Sequence, residues 1–180
     1  MVGRCVIGLA LLGLLGAGCA PSPESKSPRE ESVSTPNKPP PPLKANLSTI
    51  LREGTDFELI SIRPGPVRRE EGESVELFRK YRRLGSTKVT DNKIREDLVV
   101  ALERAASEMA TPYMCFNPRH AIRVKYQEAT YDVVICFECE QAYAKKGEEM
   151  LVEFLVSPRH QDSFDKVLFG AGVPLAERPK

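Results

Sequence analysis

Three thiols and one imidazole fall within 25 residues of this chain: Cys115, His120, Cys136 and Cys139, spaced C-x4-H-x15-C-x2-C. These residue types open three chemistries. Three thiolates and an imidazole are the donors that zinc takes in a tetrahedron. Two of the thiols could instead close a disulfide, Cys115 with Cys139 or with Cys136, in an oxidising compartment. The same cysteines could also serve as small buried apolar groups. A Cys–His nucleophile pair, Cys115 or Cys136 with His120, is a further arrangement these side chains allow. Glu138 and Glu140 alternate on one strand face, where paired carboxylates or a solvated surface are both expected. No G-x-S-x-G or Walker pattern occurs in the chain.

The elements around the cluster must bring it together. Ala121–Tyr126 and the run Tyr131–Tyr143 read as strands, and a turn at Glu128-Ala129 would pair them as a hairpin. Ala121 would then oppose Cys136, His120 would oppose Phe137, and Pro118 would oppose Cys139, with all four side chains at one hairpin end. A regular strand points Cys136 and Cys139 to opposite faces, so the zinc arrangement also requires a bulge. Val133-Val134-Ile135-Cys136-Phe137 is apolar on both faces and suits a central strand covered on both sides.

Upstream, Phe57–Ile62 reads as a strand ended by Pro64-Gly65-Pro66. Leu77–Leu84 and Thr87–Val89 read as a strand pair broken at Gly85, and Arg79, Lys80, Arg82 and Arg83 give it a basic, solvated face. Asp91 is placed to cap a helix over about residues 92–109, whose buried face is Ile94, Leu98, Ala101, Leu102, Ala105 and Met109. A strand at Met150–Val156 and an amphipathic helix from Pro158 to Gly170 complete the domain. The expected fold is α+β: a small antiparallel sheet of about five strands with two helices.

Three segments are distinctive: Cys115-Phe116-Asn117-Pro118-Arg119-His120, Asp132-Val133-Val134-Ile135-Cys136-Phe137-Glu138-Cys139, and Phe164-Asp165-Lys166-Val167-Leu168 with Ala171-Gly172-Val173-Pro174-Leu175. On these motifs, residues from about 57 to 175 resemble an uncharacterised family of bacterial envelope lipoproteins. The resemblance implies a shared fold and carries no activity with it.

The N-terminus reads as an address. Arg4 precedes an apolar run, Cys5–Leu15, followed by Gly16, Ala17, Gly18 and Cys19. This is the charged, apolar and small-residue order of a signal peptide. Leu15-Gly16-Ala17-Gly18-Cys19 resembles a bacterial lipobox, with Leu15 one step further out than that pattern has it. Cys19 would then be lipidated and become the mature N-terminus. Ala20 after it resembles the outer-membrane sorting class. Residues 20–46 hold eight of the fifteen prolines, with Ser, Lys and Glu between them. Such a segment has too little apolar surface to offset its ordering entropy, and its Pro39–Pro42 run is stiff and extended. It reads as a spacer, and a proline-rich ligand for a partner module is the sharper alternative. The expected layout is a signal peptide over 1–18, a lipid-anchored tether over 19–46 and one domain over 47–180.

Charge narrows the partners. Of 26 basic and 25 acidic residues, five and three respectively precede residue 47, which leaves the domain near −1. Grip on nucleic acid calls for a basic excess that the domain lacks. With no Trp and 7% aromatic residues, stacking platforms for bases are sparse. The sequence therefore points to a membrane-anchored, periplasm-facing envelope protein, a binding or structural module. A Cys/His metal-binding or thiol-redox protein, with zinc as the candidate cofactor, is the alternative.

Overall fold

The computed structural model describes residues 45–65 and 75–177. The expected signal peptide, Cys19 and the tether up to residue 44 lie outside them. In chain order the elements are α1 (Ala45–Glu53), β1 (Thr55–Arg63), β2 (Leu77–Phe78), β3 (Tyr81–Lys88), α2 (Asn92–Ser107), β4 (His120–Tyr126), β5 (Ala129–Cys136), β6 (Gln141–Lys146), β7 (Glu149–Leu155) and α3 (Gln161–Gly170). A 3-10 turn at Pro158–His160 leads into α3.

The strands form one antiparallel seven-stranded sheet in the order β2-β3-β1-β4-β5-β6-β7. The fold is α+β, as expected, but with more elements. The Tyr131–Tyr143 run folds back on itself at Phe137–Glu140 and becomes β5 and β6. The break expected at Gly85 falls at Arg79-Lys80 instead. β3 runs through Gly85, and Leu84 is the extra residue of a bulge against Ser61 and Ile62. A Cβ at residue 85 would stand 3.1 Å from a Val173 methyl, so the bend is packed closely by the C-terminal segment.

α1 was not expected. Leu47, Ile50 and Leu51 are nonetheless spaced for one helical face, and all three are buried. Gly54 ends α1 where a Cβ would come within 2.4 Å of Val124 Cγ2. Arg95 of α2 donates to the carbonyls of Leu51 and Gly54 at 2.7 and 2.6 Å, placing a cation on the helix's orphan C-terminal acceptors. Arg52 answers from α1 to Glu96 and Glu103 of α2.

Asp91 caps α2 as its position predicts, accepting from Lys93 N at 2.7 Å and Ile94 N at 3.0 Å. The buried face is Leu98, Val99, Ala101, Leu102, Ala105 and Ala106. The expected end members do not belong to it. Ile94 is 40% exposed in the first turn. Met109 is 85% exposed, because the chain turns extended at Glu108 and leaves the helix.

The alternation of β-strand side chains divides the core in two. Leu59, Ile122, Val124, Val133, Ile135, Ala142 and Ala144 pack beneath the helices with Leu98, Leu102, Phe164 and Leu168. Ile60, Ile62, Phe78, Tyr81, Ala121 and Val134 form a second apolar layer, against which Phe116 and Tyr143 pack. β5 is thus covered on both faces, as its sequence predicts.

Candidate functional site

The β4–β5 hairpin sets the register of everything near the cysteines. Its turn is Gln127-Glu128, one residue earlier than expected, with φ of 46° and 62°. Positive φ at both positions matches the twist of a two-residue hairpin. His120 therefore faces Ile135 rather than Phe137, and Ala121 faces Val134 rather than Cys136.

The pairing keeps the histidine apart from Cys136, as the expected pairing, two residues away in register, also would. His120 and Ile135 share the helix-covered face, so Cys136, one residue on, points to the other face. On its own side the His120 ring meets Phe137 and Phe164 edge-on, and Nε2 lies 2.7 Å from Asp165 Oδ1 of α3. Ser61, its cross-strand partner on β1, is fully buried with no hydrogen-bond partner for its hydroxyl. Both Ser61 and His120 are closed to a substrate, so His120 and Asp165 act here as a latch between β4 and α3.

The three cysteines do assemble. The turn after Cys136 carries Cys139 round to meet the loop before β4, where it forms a disulfide with Cys115, Cα to Cα 5.8 Å. Cys136 is a free, buried thiol whose sulfur accepts from the N–H groups of Asn117 and Cys139, each at 3.2 Å. Burial pushes this thiol above its ordinary range. The four-ligand zinc set is not formed: two of its sulfurs bond each other and His120 is engaged with Asp165. Among the described residues, no group of three or more His, Cys, Asp and Glu is placed to hold a metal ion. The Cys–His nucleophile pair is likewise not assembled.

The disulfide is one of several ties that fasten the 111–119 loop to the β5–β6 turn. Thr111 N donates to Glu140 at 2.6 Å, Tyr113 N to the Cys139 carbonyl at 3.2 Å, and Arg119 pairs with Glu138. Glu138 and Glu140 thus hold separate partners on a turn and do not form a carboxylate pair. The Gln141 amide donates to the Tyr113 carbonyl at 2.5 Å.

The tied loop raises one wall of a cleft of about 870 Å³ on the sheet face away from the helices. Phe116 lies against Tyr143 there, ring centroids 5.5 Å apart, and Tyr81 closes the floor. Gln141, Tyr143 and Lys145 project from β6, Met150 and Leu155 from β7. Burial pushes both phenols up, so Tyr81 and Tyr143 remain neutral donors through physiological pH.

The β2–β3 turn supplies the opposite rim, and a buried carboxylate holds it down. Asp132 of β5 is completely buried and accepts from Arg123 at 2.7 and 2.9 Å and from Arg79 at 2.7 Å. Arg79 also reaches Glu148 and the Gly147 carbonyl in the β6–β7 turn. Arg83 pairs with Glu58 and Glu76, and Lys80 lies over the Tyr81 ring. The expected solvated basic face is therefore largely paired. The cleft residues carried no motif. The one readable signal was Asp132 itself, a lone charge inside an apolar strand, which demands a cationic partner.

No family model, curated protein or solved structure matches this chain. Among the described residues, no helix is long and apolar enough to cross a membrane.

Proposed function

We propose that this chain is a lipid-anchored binding module of the bacterial cell envelope, whose ligand sits in the cleft between the 111–119 loop and the β2–β3 turn. Cys19 would be the anchor in the outer membrane, and the proline-rich segment would hold the domain off the surface. One observation carries the binding reading: about 870 Å³ of concave space where four aromatic residues, Tyr81, Phe116, Tyr143 and Phe154, meet amide and charged side chains. That volume lies within the 300–1,000 Å³ typical of small-molecule sites. Tyr81, Phe116 and Tyr143 favour a planar apolar body. Gln141 and the two phenols suit a hydrogen-bonding edge on that body, and Lys145 stands beside Glu148 at the rim.

The test is a chemical-shift screen of the labelled domain against small aromatic carboxylates and amides. Binding should shift Phe116, Gln141 and Tyr143 together, and Tyr143→Ala should weaken it about tenfold, roughly 1.4 kcal/mol. Shifts confined to the second hollow, about 430 Å³ near Thr87 and Ile94, would move the site elsewhere. A screen with no shifts in the cleft would sink the proposal.

A further inference from the structure

We propose that Cys136, Cys139 and Cys115 form a thiol–disulfide relay, in which the Cys136 sulfur displaces Cys115 from Cys139 and makes Cys115 the reactive thiol. The inference is independent of the cleft ligand and rests on the arrangement of the three sulfurs.

The Asn117 N–H lies 3.2 Å from Cys136 Sγ and 3.4 Å from Cys139 Sγ, so one donor serves both the attacking sulfur and the attacked one. A second N–H, from Cys139, also points at Cys136 Sγ at 3.2 Å. Two fixed donors on a sulfur favour its thiolate, the form that attacks a disulfide. The two residues between Cys136 and Cys139 already bend through a turn, so the new bond closes a short loop without unfolding β5 or β6.

The step balances without an external oxidant. Cys136 loses its proton and attacks Cys139 Sγ. The Cys136–Cys139 bond forms as the Cys139–Cys115 bond breaks, and Cys115 leaves as a thiolate that takes up a proton. One disulfide and one thiol are present before and after, so no net electrons move.

Exposure gives the exchange a direction of use. Cys136 and Cys139 are both 0% exposed, whereas Cys115 is half-buried on the loop. The resting thiol is therefore shielded from solvent reagents, and the relay transfers reactivity outward to a sulfur they can reach. A low-molecular-weight disulfide is the matching substrate class: the Cys115 thiolate attacks one of its sulfurs, and the other leaves as a thiolate. Release of Cys115 also removes the covalent tie on the loop that carries Phe116, so the same exchange loosens one cleft wall. Burial holds the Cys136 thiol above its ordinary range, which makes the exchange slow at neutral pH and faster as pH rises.

The full chain, without reductant, should be treated with 5,5′-dithiobis(2-nitrobenzoate) at pH 7 and 8.5, quenched in acid and digested. Cys115, Cys136 and Cys139 are then each followed by fragment-ion mass spectrometry of the peptides that carry them. The relay predicts the adduct on Cys115 together with a Cys136–Cys139 disulfide, forming at least about tenfold faster at the higher pH. In Cys136→Ser, Cys115 and Cys139 should stay joined and unlabelled. An adduct on Cys136 with Cys115–Cys139 intact would overturn the relay. So would a native protein unlabelled at all three sites at either pH, with Cys136 labelled only after unfolding.

Discussion

The Asp132 carboxylate and the Arg79 guanidinium meet at 2.7 Å across 53 residues of sequence, with the Asp132 side chain fully buried and Arg79 12% exposed. The pair anchors the β2–β3 turn to the middle of the sheet, and Arg123 completes the coordination of the acid. Asp132→Ala leaves two guanidiniums facing an apolar layer. Removing one partner of a buried ion pair costs about 3–5 kcal/mol. Urea denaturation of this variant should show a loss of that order. A change under about 0.5 kcal/mol, as surface substitutions give, would show that the network is dispensable.

The α2 face yields a contrast within one helix. Leu98 is 1% exposed, and Leu98→Ala should cost about 2–5 kcal/mol. Ile94→Ala and Met109→Ala, at 40% and 85% exposed positions, should cost far less, about 1 kcal/mol or under. Equal losses at Leu98 and Met109 in chemical denaturation would contradict the helix end at Ser107.

Alkaline pH should destabilise the fold. Burial raises Tyr81, Tyr143 and Cys136 above ordinary values of 10.0 for the phenols and 9.0 for the thiol. Above those values the unfolded chain releases protons that the native state retains, so unfolding becomes more favourable as pH climbs. Stability should be level up to about pH 8.5 and then fall, with Tyr143→Phe reducing the slope above pH 10. Thermal melts from pH 7 to 11 measure this, and a flat profile would contradict the burial of these groups.

The anchor is tested by fractionation. Wild-type chain expressed in a bacterium should incorporate labelled fatty acid and sediment with membranes, whereas Cys19→Ser should incorporate none and be released or remain unprocessed. A processed Cys19→Ser protein that still partitions with membranes would rule the lipid anchor out.

The disulfide ties Cys115 to Cys139 across a separation of 24 residues. Closing a loop of that length should contribute about 3 kcal/mol by restricting the unfolded chain. Reduced and oxidised protein compared in denaturant should differ by that order, and identical midpoints would show that the loop is held by its hydrogen bonds alone.

Local pattern was enough for much of this protein. The Asp91 cap, the α2 stripe, the two-sided apolar β5 and the C-terminal helix are all written in periods of 3.6 or 2 that need no distant partner. The meeting of the cysteines was legible as well, because a hairpin brings its ends together whatever its turn. What the pattern left open depended on register and on pairs far apart in sequence. Gln127-Glu128 carries no glycine or asparagine to mark its turn, so the expected pairing was one turn residue out. The placement of His120 against α3 required knowing which face the helices cover. The Arg79–Asp132 pair and the cleft above β6 join segments separated by dozens of residues, and only packing brings such segments together. The sequence by itself determined most of the elements, the centre of the α2 stripe and the company of the three cysteines, but neither α1 nor the fold-back between β5 and β6. The tertiary structure decided what each side chain meets, His120 against α3 and Cys136 against the 111–119 loop, because only the closed sheet assigns a layer to each side.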